Sequence, residues 1–230
     1  MNANTDIRAA VPGEAVRAAA RSRLYALFAQ LFRYPEKPVF AALADGSLAA
    51  ELRDTLAACL PAAAEDFDSR WATALRAGGD FDGYAAAYLA AFENDAPRPS
   101  ISLYEGSYGQ RRNDKPGLLL ELKSFYRNFG LAMGDNDLED ALPAELEFMQ
   151  FLAAKQAQAL VEGTDPRPYV HAQKDFLERH LGAWMPAVAG EAQDKLEKGC
   201  FTAAAELLAA CVALDATGIA AEFAGPGGNA

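Results

Sequence analysis

"VRAAARSRLYALFAQLF", residues 16–32, decides the fold class. Leu24, Leu27, Phe28 and Leu31 stand at i, i+3, i+4 and i+7, so large apolar groups line one helical face. Alanine fills most of the remaining positions, and it is the strongest helix former because its side chain loses no rotamer entropy. The helix is expected to stop at Tyr34-Pro35, since a residue before proline disfavours helical backbone.

The same period repeats along the chain. Short helices are expected over Pro38 to Leu43 and Leu48 to Leu60, and Pro61 opens one that carries Trp71 and Leu75 and closes at Gly78-Gly79. Asp80 is placed to N-cap a helix bearing Phe81, Tyr84, Tyr88, Leu89 and Phe92. Leu118, Leu122, Phe125 and Phe129 form the next stripe, which ends at Gly130. Pro143 to Leu160 is the best-marked helix, with Glu145 and Glu147 in a first turn where they complement the dipole, and Phe148, Met149, Phe151 and Leu152 in the core. Helices over Tyr169 to Leu181, Ala183 to Ala192 and Cys200 to Asp215 complete the set. No stretch alternates with period 2 between turn signals, and no period of about 20–50 residues repeats. The expectation is an all-α fold, a single-domain multi-helix bundle over residues 1–230, with 1–14 and 225–230 flexible.

One segment resists this reading. "NDAPRPSISLYEGSYGQRRNDKP", residues 94–116, has no helical period, yet it lies between strongly helical stretches and holds Tyr104 and Tyr108. Loops longer than about 12–15 residues are uncommon in compact domains and are usually functional or disordered.

Composition narrows the function. With 51% apolar residues the chain can build a core. Its 21 basic and 32 acidic residues give a net charge of −11, the wrong sign for neutralising phosphates, so no nucleic-acid partner is expected. Cys59, Cys200 and Cys211 are odd in number and lack C-x-x-C spacing, which reads as buried thiols in a reducing compartment. The longest purely apolar run, Leu207 to Leu214, is short for a membrane span, and the N-terminus shows no apolar leader. A cytoplasmic protein without stable membrane insertion is the expectation.

Standard catalytic constellations are missing from the sequence. His171 and Asp175 stand at i, i+4 but lack further metal ligands, and His180 reads as a half-buried structural residue. Di-iron Glu-x-x-His pairs, phosphate-binding glycine loops and G-x-S-x-G do not occur. Asp135, Asp137, Glu139 and Asp140 read as an acidic interhelical loop rather than a calcium site. Neither an enzyme, a cofactor nor a metal is expected. The internal Arg111-Arg112 pair reads as loop charge.

Several stretches taken in order resemble one family. RSRLYALFAQLFRYP (21–35), YLAAF (88–92), SLYEGSYG (102–109), LEDALPAELEFMQFLA (138–153) and QKDFLERHLGAWMP (173–186) are similar to the TorD/DmsD/NarJ-like redox-enzyme maturation chaperones. The resemblance implies a non-catalytic, all-helical cytoplasmic chaperone, monomeric or homodimeric. It would bind the twin-arginine signal peptide and body of a molybdoenzyme catalytic subunit, assist cofactor insertion and hold back export. The family's aromatic-x-x-Leu-Phe motif falls on Tyr88 to Phe92, with Ala91 where leucine is usual. Its Pro-Tyr-Glu-Ser-x-Tyr-like loop falls on Leu103 to Tyr108, with Leu103 and Gly106 substituted. Its Glu-x-Pro-x-Asp-His motif falls on the stretch Asp137 to Ala141, keeping Asp140 but with Leu138 for proline and Ala141 for histidine.

A twin-arginine leader is a basic stretch followed by an apolar one, so its receptor needs carboxylates beside an apolar groove. The expected binding residues are therefore Tyr88, Phe92, Tyr104, Glu105, Tyr108, Glu139 and Asp140, with both loop tyrosines facing the guest. Two other readings stay open: a helical adaptor that binds a folded partner without reading a signal peptide, and a small-molecule hydrolase built on the carboxylates of residues 135–140.

Overall fold

The structure, a computed structural model, describes residues 13–93, 101–132, 134 and 138–224. The first helix, α1 (Gly13–Leu31), buries Leu24, Leu27, Phe28 and Leu31 as its spacing predicts, and Tyr25 with them. It packs chiefly on α8 (Leu142–Glu162) and on α3 (Ser47–Cys59). Between α1 and α3, α2 (Lys37–Asp45) ends at Gly46, whose φ of 84° suits a residue without Cβ. A side chain there would also meet the Arg76 guanidinium.

Pro61 opens α4 (Pro61–Glu65), but the helix does not run on to Leu75 as expected. Asp66 turns out of helical geometry (φ −98°, ψ 1°), leaving α5 (Phe67–Arg70) as a separate turn. Phe67, Trp71 and Leu75 are still buried, so the core contacts survive the break. Asp80 caps α6 (Phe81–Tyr88) by accepting the Gly83 N–H at 2.8 Å. The chain then widens into one π-helical turn, Leu89–Glu93. Such turns are rare in helices and are frequent at functional sites.

The described part of the long loop is stitched at both ends. Ile101 N–H donates to Ala91 O at 2.8 Å on one side; on the other, Glu105 N–H donates to Asp140 O at 2.9 Å and Leu142 N–H to Leu103 O at 2.8 Å. These bonds make Tyr104 and Ala141 an antiparallel bridge at the start of α8; among the described residues no strand forms. Two 3₁₀ turns, Glu105–Ser107 and Gly109–Asn113, lead into α7 (Lys115–Asn128). A loop folded inward must pair its backbone groups, and this one does so with its neighbours. Residues 94–100, and Asp135 and Asp137 of the acidic stretch, lie outside the described residues.

Beyond α8, α9 (Arg167–Arg179), α10 (Leu181–Lys195) and α11 (Cys200–Ala224) pack on one another. Gly182 lies so close to the Leu177 carbonyl that a Cβ would come within 2.4 Å of that oxygen; its absence permits the sharp α9–α10 bend that carries His180. α11 runs past Asp215, where the sequence reading ended it, because that carboxyl is buried and paired. Its stretch Cys200–Ala221 is long and apolar enough to span a membrane by length and composition, but half of it is buried within the fold, as in a core helix. The expected flexible ends fall on residues 1–12 and 225–230, outside the described residues, while Gly13 and Glu14 already belong to α1.

Candidate functional site

The end of α1, the π-helical turn, the stitched loop and the start of α8 meet around a cleft of about 220 Å³. Its wall holds Tyr88 and Phe92, both buried, with ring centroids 5.1 Å apart. The Tyr88 hydroxyl donates to Phe32 O at 3.0 Å, fixing the ring against the last turn of α1. Tyr34 and Tyr104 stand at the mouth, 57% and 38% exposed, and Tyr34 meets the Tyr88 ring edge-on at 5.8 Å. Burial pushes the Tyr88 and Tyr104 phenols above their ordinary value, and the Glu93 carboxylate adds to this, so both remain neutral hydroxyls. Ala141, in the histidine position of the resemblance, lines the floor and leaves it open.

Two carboxylates border this cleft, and neither is among those expected. Glu93 ends the π-helical turn, exposed and without an ion pair among the described residues. Glu147 lies on the outer face of α8, paired with Arg33.

Of the seven residues the sequence put forward, the structure brings Tyr88, Phe92 and Tyr104 to the cleft and turns three others inward. The Tyr108 hydroxyl donates to Ser102 O at 2.8 Å and its ring stacks on Trp184 at 5.4 Å, so it plugs the loop onto the core instead of facing a guest. Glu105 is 1% exposed: its carboxylate lies 2.9 Å from His180 Nδ1 and 3.5 Å from Arg111 Nε. Asp140 is 0% exposed; its Oδ2 accepts the Gly106 N–H at 3.2 Å and stands 3.5 Å from Lys115 Nζ. Glu139 presents its backbone, accepting the Tyr126 hydroxyl at 2.8 Å, while its carboxylate sits 4.0 Å from Lys123. The physical reasons differ. An irregular segment folded against helices must pair its backbone groups, and Asp140 and Tyr108 are taken up in doing so, through the Gly106 N–H and the Ser102 carbonyl; Glu105 and Glu139 are instead drawn to the side chains of His180, Arg111 and Lys123.

Behind the cleft lies a buried polar node that the sequence did not reveal. Glu145 reads as an ordinary first-turn acid, yet it is fully buried and accepts the Trp184 indole N–H at 3.1 Å. Burial first, and then the Glu105 charge, push its carboxyl well above the usual range. As a carboxylate its second oxygen has no donor; a proton there makes it a donor toward Glu105. His180 is fully buried as well, between Glu105 and Glu121, edge-on to Phe125 at 5.3 Å. The only hint in the sequence was the apolar company of His180, Leu181 and Trp184.

The node makes stability depend on pH. A carboxyl whose folded pKa is raised favours folding most below its unfolded value, near 4.5, and loses that contribution as pH climbs toward the folded value. Glu145→Gln keeps an acceptor for Trp184 and a donor for Glu105 without a charge to bury. Its melting temperature is expected to fall less between pH 5 and 8 than that of the parent chain; parallel curves would show Glu145 to be ionised in the fold.

Among the described residues no group of His, Cys, Asp and Glu is arranged to hold a metal. The three thiols are free, and burial pushes Cys59 and Cys200 up to about 12. A larger cleft of about 490 Å³ lies across the π-helical turn, floored by Ala87, Ala90 and Ala91 and bordered by Arg76, Lys195 and Lys198; none of the seven expected residues lines it.

Comparison with known proteins places this geometry in context. The family model described as nitrate reductase delta subunit matches residues 45–190. The chain is 47% identical to the perchlorate reductase assembly chaperone protein of Dechloromonas aromatica (strain RCB) over 190 residues, 82% of this chain and 84% of that one. It is 43% identical to the selenate reductase assembly chaperone protein of Thauera selenatis over 105 residues, 44% and 53% of the two chains. The dimethyl sulfide dehydrogenase assembly chaperone protein of Rhodovulum sulfidophilum is 33% identical over 181 residues, 75% of this chain and 69% of that one.

Proposed function

Because the chain belongs to the nitrate reductase delta subunit family, within the TorD/NarJ-like redox-enzyme maturation chaperones, we propose that it assembles the catalytic subunit of a molybdenum-containing reductase. The family is one of assembly chaperones rather than catalysts. The names of the perchlorate and selenate reductase assembly chaperones support a client that reduces an oxyanion. The chaperone acts in the cytoplasm as one folding unit over the chain, holding the client's twin-arginine signal peptide and delaying export until the cofactor is in place. One apolar cluster running from Leu24 to Ile219 supports the single unit.

The observation that carries signal-peptide binding is the cleft of Tyr88, Phe92 and Tyr104 with Glu93 and Glu147 at its border. Its aromatic wall suits the apolar part of a leader, and the exposed Tyr34 ring beside carboxylates suits a guanidinium group, as the Tyr104 ring already takes the Lys115 ammonium 5.7 Å from its centroid. Tyr104 is the test residue, because its backbone already makes the bridge to Ala141 and its ring alone points to the mouth. Tyr104→Ala is expected to weaken binding of a fluorescent twin-arginine leader peptide by about 1–2 kcal/mol, roughly 5- to 30-fold, as truncation of an interface aromatic does. Its melting temperature should stay near the parent value. Affinity of the parent chain should fall with added salt. Unchanged affinity in Tyr104→Ala would remove the cleft as the leader site.

A further inference from the structure

The carboxylates that would naturally be assigned to the guest's arginines are already committed inside the fold. Glu105 is held by His180 and Arg111, and Asp140 by the Gly106 N–H and Lys115. What remains at the cleft is Glu93 and Glu147, and of these Glu147 already carries a guanidinium, that of Arg33. Arg33 stands one residue before Tyr34, two residues beyond α1, and lines the same cleft. Both side chains of the pair are about half exposed, at 52% and 45%.

Resting on the reading of this cleft as the leader site, we propose that Glu147 is the arginine-reading carboxylate and that Arg33 is its resident occupant, exchanged for a guest guanidinium on binding. An exposed ion pair contributes little, about 0–1 kcal/mol, because water solvates both partners and two long side chains are held in one geometry. Arg33 is therefore easily displaced. A guest arginine takes over the single contact that Arg33 Nη2 makes with Glu147 Oε1, can add a second N–H to the other carboxylate oxygen, and gains stacking on Tyr34 plus the burial of the apolar stretch behind it. Glu93, without an ion pair among the described residues, receives the second arginine with no exchange. The resident pair keeps Glu147 from capturing isolated cations, so only a peptide that also fills the aromatic wall competes effectively.

The test is a thermodynamic cycle on the full chain with a synthetic leader peptide, an arginine pair followed by an apolar stretch, titrated by fluorescence anisotropy. Arg33→Ala is expected to tighten binding about three- to fivefold, the most that an exposed pair withholds. Arg23→Ala removes the same charge from a matching half-exposed pair with Glu51 higher on α1, outside the cleft, and should change affinity less than about twofold. In a Glu147→Gln background, Arg33→Ala should have no effect, because the contested carboxylate is gone. Equal gains in Arg33→Ala and Arg23→Ala, or an Arg33→Ala gain that persists with Glu147→Gln, overturns the exchange. If the parent chain binds the peptide and Tyr104→Ala weakens it while Arg33→Ala changes nothing, the exchange fails and the cleft stands. A parent chain that does not bind the peptide overturns both. Thermal melts of each variant establish folding, which substitution of half-exposed side chains preserves.

Discussion

Asp215→Ala is expected to lower the unfolding free energy by about 3–5 kcal/mol, because it takes a buried carboxylate away from a buried guanidinium. Arg21 is 3% exposed, its Nε lies 2.8 Å from Asp215 Oδ1, and its Nη1 donates to Gln156 and Gln173. The Tyr25 hydroxyl donates to the other Asp215 oxygen at 2.7 Å. A guanidinium does not discharge at any pH at which the protein folds, so the variant must either bury a cation beside Ala or open the α1–α11 contact to water. Burial raises the Asp215 carboxyl above its ordinary value even though Arg21 opposes it, so desolvation outweighs attraction. The pair should therefore cost more to break than to replace. The double variant Arg21→Met with Asp215→Leu is expected to lose less stability than Asp215→Ala, the remaining loss coming from the Tyr25 hydroxyl and the Gln173 amide oxygen, which keep no partner from the pair. Urea denaturation of the three chains measures this, and a small loss in Asp215→Ala would mean that water reaches Arg21. The same result bears on α11: a helix that owes its place to an internal ion pair with α1 is a core helix, whatever its length and apolarity.

The helices were legible because they rest on local rules. Leu24, Leu27, Phe28 and Leu31 define the buried face of α1, Asp80 does cap α6, and Pro143 does stand in the first turn of α8. Where the reading slipped, a tertiary contact had overruled a local signal. Asp215 reads as the polar end of a helix until Arg21 is seen opposite it, and Glu145 as a solvated first-turn acid until Trp184 and Glu105 enclose it. The site was legible in part for the same reason. Tyr88, Phe92 and Tyr104 follow from helix spacing, the odd loop and the family resemblance, whereas Glu147 becomes a neighbour of that loop only through the bridge between Tyr104 and Ala141, and Glu93, though it directly precedes the loop, carries no motif that singles it out. Nothing in one-dimensional spacing says which of two nearby acids a loop will draw inward to satisfy its own backbone.

Glu105→Ala separates the inward acids from the outward ones, and its expected result is loss of about 3–5 kcal/mol of stability rather than a selective loss of peptide affinity. Removing this carboxylate leaves His180 Nδ1 without its partner at 2.9 Å and takes from Glu145 the acceptor for its proton. The polar atoms left behind have no route to water, since His180 and Glu145 are both 0% exposed. Glu105→Gln keeps an acceptor for the imidazole and should cost only about 1 kcal/mol. Glu147→Gln, at the half-exposed end of α8, should leave stability within about 0.5 kcal/mol while weakening capture of an arginine-bearing leader. Urea midpoints and peptide affinities of the three variants therefore form a crossed pattern: Glu105 governs the fold and Glu147 the guest. The opposite pattern, a stable Glu105→Ala that no longer binds peptide, would mean that the loop releases Glu105 to the cleft when the client arrives. The His180 node would then belong to the binding surface rather than to its support.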